Sequence, residues 1–280
     1  MTQSDPIAAA IADLVRTALV EDLGEAGDIT SIAVIPAGTK LAAAMVAREP
    51  LVVAGLGAAE AVFRALDPEA SITRFIEDGT MADAGEALLR VEGDGRALLA
   101  AERSALNIVQ HLSGIATVTR AYVNAVAGTG AVLLDTRKTI PGLRVLDKYA
   151  VRMGGGTNHR MGLFDAVLIK DNHVALAGGV GEAVRRAKAA GLAVEVEVDR
   201  LDQIEPALAA GADRLLLDNM GVEGLRAAVA IVRGRVPTEA SGGVRLETVR
   251  EIAATGVTYV SVGRLTQSAP AVDIGLDWAG

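Results

Sequence analysis

The residues best suited to chemistry lie between Asp135 and Arg160. There DTRKTIPG at 135–142 is followed by Lys148 and by GGGTNHR at 154–160, which crowds Arg137, Lys138, Lys148, Arg152, His159 and Arg160 into one short stretch. Pro141, Gly142 and the triple glycine place much of this stretch in loops, where side chains and backbone N–H groups can converge on an anion. Basic clusters are often no more than solvated surface. Lys170, which leaves the apolar run Val167–Ile169, favours instead a site for a small, multiply charged ligand. A second group is VEVEVD at 194–199. In a strand, alternate residues share a face, so Glu195, Glu197 and Asp199 point one way and three valines the other. With Asp218 these acids can bind sugar hydroxyls or Mg²⁺, or stabilise a developing cation; an edge strand with one wet face is the plainer alternative. Ser241-Gly242-Gly243 and Gly263 offer free amides ahead of helix starts expected at Leu246 and Ala269, an arrangement suited to a phosphate, although a glycine pair alone is more often a turn. The three histidines lack the spacing of a zinc site; His111 reads as structural and His159 as a hydrogen-bond donor to a ligand carboxylate.

These groups need a scaffold that brings strand ends together. From Ala131 onward short apolar runs (132–134, 167–169, 194–198, 215–217, 236–240, 257–262) alternate with helical patterns (182–190, 201–210, 223–232, 246–254), several ending at Gly191, Gly211 and Gly256. From 194 on, starts about 20 residues apart suit a (β/α) barrel, and a further strand is expected within 143–161. Every run ends in polar residues, among them Asp135, Lys170, Asp218, Glu239, Ser241 and Ser261, on the rim where barrels build active sites. The first hundred residues read as a small mixed α/β domain, with a helix over 7–23, strands near 41–47 and 51–54, and a helix over 58–66. A long helix runs over 96–126, with Leu98, Ala101, Ala105, Val109 and Leu112 on one stripe.

At 280 residues, and roughly 150 residues per domain, the chain fits one large domain or two modest ones. Its net charge of −8 argues against nucleic acid and anionic membranes as partners. The absence of cysteine excludes disulfide, zinc-thiolate and thiol chemistry. The apolar fraction is 51%, but charges interrupt every stretch long enough to cross a bilayer. Met1–Pro6 lacks the basic-then-apolar plan of a secretory signal, which predicts a cytoplasmic protein. Low aromatic content leaves charge, not stacking, to hold a ligand.

Taken together, EDLGEAGDITS at 21–31, AERSALNIVQHLSGIAT at 101–117, the long run from Asp135 to His173, and then VEVEV, LLDNM, EASGGV and VSVGRLTQSAP resemble the quinolinate phosphoribosyltransferase family. The resemblance implies an N-terminal α/β sandwich domain at 1–115 and an incomplete, seven-stranded α/β barrel of the type II phosphoribosyltransferase kind at 116–269, with 270–280 packing back on the first domain. It implies a homodimer or larger assembly and a reaction of quinolinate with phosphoribosyl pyrophosphate that releases pyrophosphate and CO₂ and yields nicotinate mononucleotide. By the same resemblance Arg137, His159, Arg160 and Lys170 hold the quinolinate carboxylates, and Arg103 arrives from the neighbouring subunit. Lys138 takes the pyrophosphate, Glu197 and Asp218 the ribose hydroxyls and Mg²⁺, and Ser241, Gly242 and Gly263 the 5′-phosphate; Lys138, Lys170, Glu197 and Asp218 are the catalytic set. Three other readings remain open at this level: a related protein of molybdenum transport, a Schiff-base aldolase using Lys170, and a binding barrel without turnover.

Overall fold

The computed structural model describes residues 5–278, so Met1–Ser4 of the expected first domain and residues 279–280 of the expected C-terminal tail lie outside it. In order, the elements are α1 (Pro6–Leu23), α2 (Ile29–Val34), β1 (Lys40–Ala47), β2 (Leu51–Val52), α3 (Leu56–Leu66), β3 (Ser71–Arg74), β4 (Met81–Ala82), β5 (Ala87–Asp94) and α4 (Gly95–Val126). There follow β6 (Val132–Leu134), α5 (Arg144–Met153), β7 (Val167–Ile169), α6 (Asp171–Ala177), α7 (Val180–Ala189), β8 (Val194–Val198), a 3₁₀ turn at Leu201–Gln203 and α8 (Ile204–Ala209). The chain ends with β9 (Arg214–Asp218), α9 (Val222–Val232), β10 (Thr238–Ser241), α10 (Leu246–Ala253), β11 (Tyr259–Ser261), α11 (Arg264–Gln267) and β12 (Ile274–Trp278). The described residues form two compact units, one made of the chain to Arg120 with Thr139–Gly155 and the segment from Leu265, the other of Ala121–Lys138 and Gly156–Arg264.

In the first unit an antiparallel sheet has the order β12-β1-β5-β3. Strand β1 alternates as period two demands: Leu41, Ala43, Met45 and Ala47 are buried, the residues between them less so. The stripe Leu98, Ala101, Ala105, Val109 and Leu112 on α4 is likewise buried. Polar groups of that helix serve the neighbouring backbone: Ser113 Oγ accepts from the Ala54 N–H at 2.9 Å and Thr117 Oγ1 from that of Val52 at 2.8 Å. Helix starts carry side-chain caps, Asp5 before Pro6 in α1 and Asp28 accepting two backbone N–H groups in α2. Strand β12 pairs antiparallel with β1, Ala43 opposite Trp278 and Ala47 opposite Ile274.

In the second unit six parallel strands run β6-β11-β10-β9-β8-β7. A parallel bridge between Leu134 and Thr157 adds the start of a seventh beyond β6, inside the stretch where the sequence hides a strand. Among the described residues no ladder joins β7 to that bridge, and the barrel is incomplete there. Two expectations need correction. No helix starts at Ala269, because Pro270 disfavours helical backbone at the residue before it, and the last helix is Arg264–Gln267. Asp199 does not share the inner face with Glu195 and Glu197: the strand stops at Val198, and Asp199 is exposed beside Arg200.

Candidate active site

Strand alternation explains which side chains meet in the second unit. The valines Val194, Val196 and Val198 are buried on one face of β8, and Glu195 and Glu197 leave the other. The parallel register sets Glu195 beside Arg214 at the start of β9, and Ser241 beside Asp218 where β10 and β9 end. The inner face therefore has depth: Arg214, Glu195 and Glu239 lie toward the strand starts, while Glu197, Asp218, Ser241 and Lys170 lie toward the strand ends.

The deeper layer is ionic. His159 Nε2 lies 3.1 Å from Glu195 Oε2 and 3.5 Å from Glu239 Oε2. Arg214 lies 3.9 Å from Glu195 and 3.6 Å from Glu239, with its guanidinium over the Tyr259 ring at 4.2 Å. Glu239 is fully buried. Burial lowers the proton affinity of His159, but the two carboxylates outweigh it and raise its pKa to about 9. The backbone N–H of Arg160 donates to His159 Nδ1 at 2.8 Å, so in this geometry the proton sits on Nε2, and a second proton at Nδ1 must displace that contact. Burial also pushes both glutamates up; for Glu239 the nearby His159 and its charge reverse the sign, whereas Glu195 stays high beside Glu239's charge. Fully buried Asp135 accepts the His159 N–H at 2.8 Å and the Asn158 side-chain amide at 2.6 Å, fixing the turn that carries the histidine. His159, Glu195 and Glu239 stand within metal-ligand reach of one another, but Arg214 already supplies a cation to both carboxylates.

The rim layer carries the residues singled out for substrate. Lys170 Nζ donates to Glu197 Oε2 at 2.6 Å. Asp218 has its pKa raised by burial and by the Glu197 carboxylate, against a hydrogen bond from Asn219 that lowers it; Lys170 and Lys138 also act on it from close by. Arg160 lies near enough to Arg137 that burial and the second guanidinium together lower its pKa, and its Nη1 donates to the Ala166 carbonyl at 3.0 Å. Two guanidiniums that feel each other's charge repel, and an anion between them relieves that repulsion. Gly242 and Gly243 follow Ser241 with φ of +96° and +62°, and Gly263 immediately precedes α11.

Lys148 and Arg152 sit on α5 in the first unit, where Lys148 is fully buried next to Asp147. His111 Nε2 donates to Asp147 Oδ1 at 2.9 Å, and Asp147 also accepts the Ile140 N–H, a structural arrangement. Arg103, exposed on α4, lines a cavity of about 270 Å³ in the first unit with Asn107, His111 and Asp22. Sequence reasoning did not single out Arg214, placed Glu239 on the rim without a named role, and gave none to Asn219. The signal for the first two was available: Arg214 shares the alternate-residue face of Asp218, and Glu239 that of Ser241.

Residues 28–113 match the family described as quinolinate phosphoribosyl transferase, N-terminal domain, and residues 115–277 match its C-terminal domain. The chain is 50% identical over 275 residues to nicotinate-nucleotide pyrophosphorylase [carboxylating] of Mycobacterium leprae, covering 95% of this chain and 96% of that protein. The chloroplastic protein of the same name from Oryza sativa is 43% identical, over 94% of this chain and 76% of its own length. Among solved structures, nicotinate-nucleotide pyrophosphorylase from Francisella tularensis superposes with a TM-score of 0.92 at 42% identity, covering 96% of both chains. That from Ehrlichia chaffeensis gives 0.92 at 41%, covering 95% of this chain and 98% of that one.

Proposed function

The chain belongs to the quinolinate phosphoribosyltransferase family, a pentosyltransferase that moves phosphoribosyl from phosphoribosyl pyrophosphate to quinolinate with decarboxylation in NAD biosynthesis, and we propose how its residues divide that work. Arg137 and Arg160 take the two quinolinate carboxylates, and the observation that carries the division of work is the rim contact of Lys170 Nζ with Glu197 Oε2 at 2.6 Å, where the cationic side of the pocket meets its carboxylate side. Lys170 completes the cationic side of the pocket, and His159 orients Arg160 through the contact between its ring and the Arg160 N–H. Lys138 meets the pyrophosphate. Glu197 and Asp218 face the ribose hydroxyls, and the amides of Ser241, Gly242 and Gly263 take the 5′-phosphate.

Departure of pyrophosphate leaves positive charge on the sugar, and the Glu197 and Asp218 carboxylates stabilise it from the inner face. Once the ring nitrogen is ribosylated, the pyridinium is an electron sink, and the adjacent carboxylate leaves as CO₂. The arginines orient that carboxylate while gripping its neighbour; holding both equally hard would stabilise the ground state and slow its loss. The oxygen-only pair Glu197 and Asp218, close enough that one charge raises the other's pKa, fits Mg²⁺. When bound there the ion would neutralise the pyrophosphate oxygens.

A homodimer accounts for Arg103, whose exposed guanidinium on α4 would serve a partner's pocket. A cytoplasmic location is supported by the cysteine-free composition, and no described helix is long and apolar enough to cross a membrane. The test is release of labelled CO₂ from carboxyl-labelled quinolinate with phosphoribosyl pyrophosphate and Mg²⁺. Saturable quinolinate binding without release would sink the transferase reading in favour of a binding barrel; trapping of a keto substrate on Lys170 by borohydride would favour an aldolase.

A further inference from the structure

Asn219, which follows the last residue of β9, adopts a left-handed backbone, φ +54°. Such a conformation costs most residues energy and is tolerated best by Gly, Asn and Asp. Three contacts exploit it. The side-chain amide Nδ2 donates to Asp218 Oδ2 at 2.6 Å. The backbone N–H donates to the Ser241 carbonyl at 2.8 Å. The side chain lies flat against Gly242, where a Cβ would come within 2.6 Å of Asn219 Cγ and 2.9 Å of its backbone nitrogen, closer still to its Oδ1. Flipping the amide would set its oxygen against the Asp218 carboxylate, so electrostatics fix its orientation. One short residue thus ties the carboxylate at the end of β9 to the glycine turn at the end of β10.

We propose that Asn219 is a positioning residue for phosphoribosyl pyrophosphate, holding the Asp218 carboxylate and the 241–243 turn at the separation that a ribose ring and its 5′-phosphate require. This rests on the reading that Asp218 meets the ribose and that the turn meets the phosphate. A sugar phosphate is bound at two ends, and an unheld carboxylate or a slack turn lowers affinity at both without touching the pyridine. Position 242 must then be glycine for two reasons, its φ of +96° and the Asn219 side chain filling the space of a Cβ.

The test compares Asn219→Gly, which accepts the same backbone but lacks the amide, with Asn219→Asp, which keeps shape but replaces the donor by a second carboxylate. Steady-state kinetics for both substrates are read beside the quinolinate dissociation constant by calorimetry and the melting temperature. Loss of one hydrogen bond to a charged group predicts a rise of about tenfold in KM for phosphoribosyl pyrophosphate for Asn219→Gly, and more for Asn219→Asp. Quinolinate affinity and melting temperature should stay near those of the parent. Unchanged KM and kcat in Asn219→Gly overturn the proposal, as does a parallel loss of quinolinate binding and thermal stability, which marks a merely structural role. Asp218→Asn serves as the control. If it raises KM for phosphoribosyl pyrophosphate while Asn219→Gly does not, the positioning role alone falls; if it leaves KM unchanged, the ribose assignment falls and takes this proposal with it.

Discussion

Replacing Glu239 with glutamine keeps the side chain's shape and removes one charge from the buried group in which His159 and Arg214 oppose Glu195 and Glu239. The folded protein holds the His159 pKa at about 9, against roughly 6.5 for an unperturbed histidine. Because the folded value is the higher one, the stabilisation is fully present below about pH 6.5 and is lost as pH rises through the folded pKa. A gap of about 2.5 units corresponds to about 3 kcal/mol. That is an upper bound, since protonating Nδ1 sacrifices the contact with the Arg160 N–H. Glu195 and Glu239 flank the same nitrogen, so losing one should remove about half of the effect: His159 should titrate about one unit lower, and the variant should lose about 1.5 kcal/mol near pH 6 from this source. The Arg214 partner is still lost at high pH, so the gap between parent and variant should narrow from pH 6 to pH 10 without closing. With only three histidines in the chain, proton NMR can follow His159 directly, and urea unfolding at the two pH values gives the free energies. A parent His159 that titrates near 6.5, or one whose titration ignores Glu239→Gln, would refute the coupling.

Gly114→Ala should destabilise the protein by about 2 kcal/mol or more, despite alanine's higher helix propensity, because the new Cβ meets the Pro270 carbonyl and comes within 3.2 Å of Ala271 Cα; an unchanged urea midpoint would contradict that packing. Arg137→Ala should raise KM for quinolinate about a hundredfold and leave KM for phosphoribosyl pyrophosphate within a few fold, since a bidentate carboxylate partner is lost. An equal rise for both substrates would place Arg137 elsewhere. Mixing Arg103→Ala and Arg137→Ala subunits under exchange conditions should restore part of the activity at low quinolinate, because one site in a hybrid dimer keeps both arginines; no recovery after confirmed exchange would show that Arg103 does not act across subunits.

Element type was legible wherever periodicity was strong. The strands 132–134, 167–169 and 194–198 and the helices expected over 182–190, 223–232 and 246–254 appear within a residue or two of those bounds, whereas α5 and α6 fall where no helix was expected. The α4 stripe is buried residue for residue. Thr157 was harder, since a single bridge has no periodicity to read. Asp199 misled for the opposite reason: alternation continued in the sequence one residue beyond the place where the ladder stopped.

By itself, the sequence determined the cationic composition of the 135–160 segment, the acidic face of β8 and the order of the strands, all of them properties of neighbours along the chain. Only the tertiary structure decided that His159 would sit on two buried glutamates from β8 and β10, with Arg214 of β9 behind them, and that Lys170 would reach Glu197. It also buried Lys148 on α5 of the first unit, although the sequence sets it among loop cations. Parallel strands joined through helices set residues tens of positions apart into register, and which charges then neutralise one another depends on that register and on burial, neither of which a local pattern encodes.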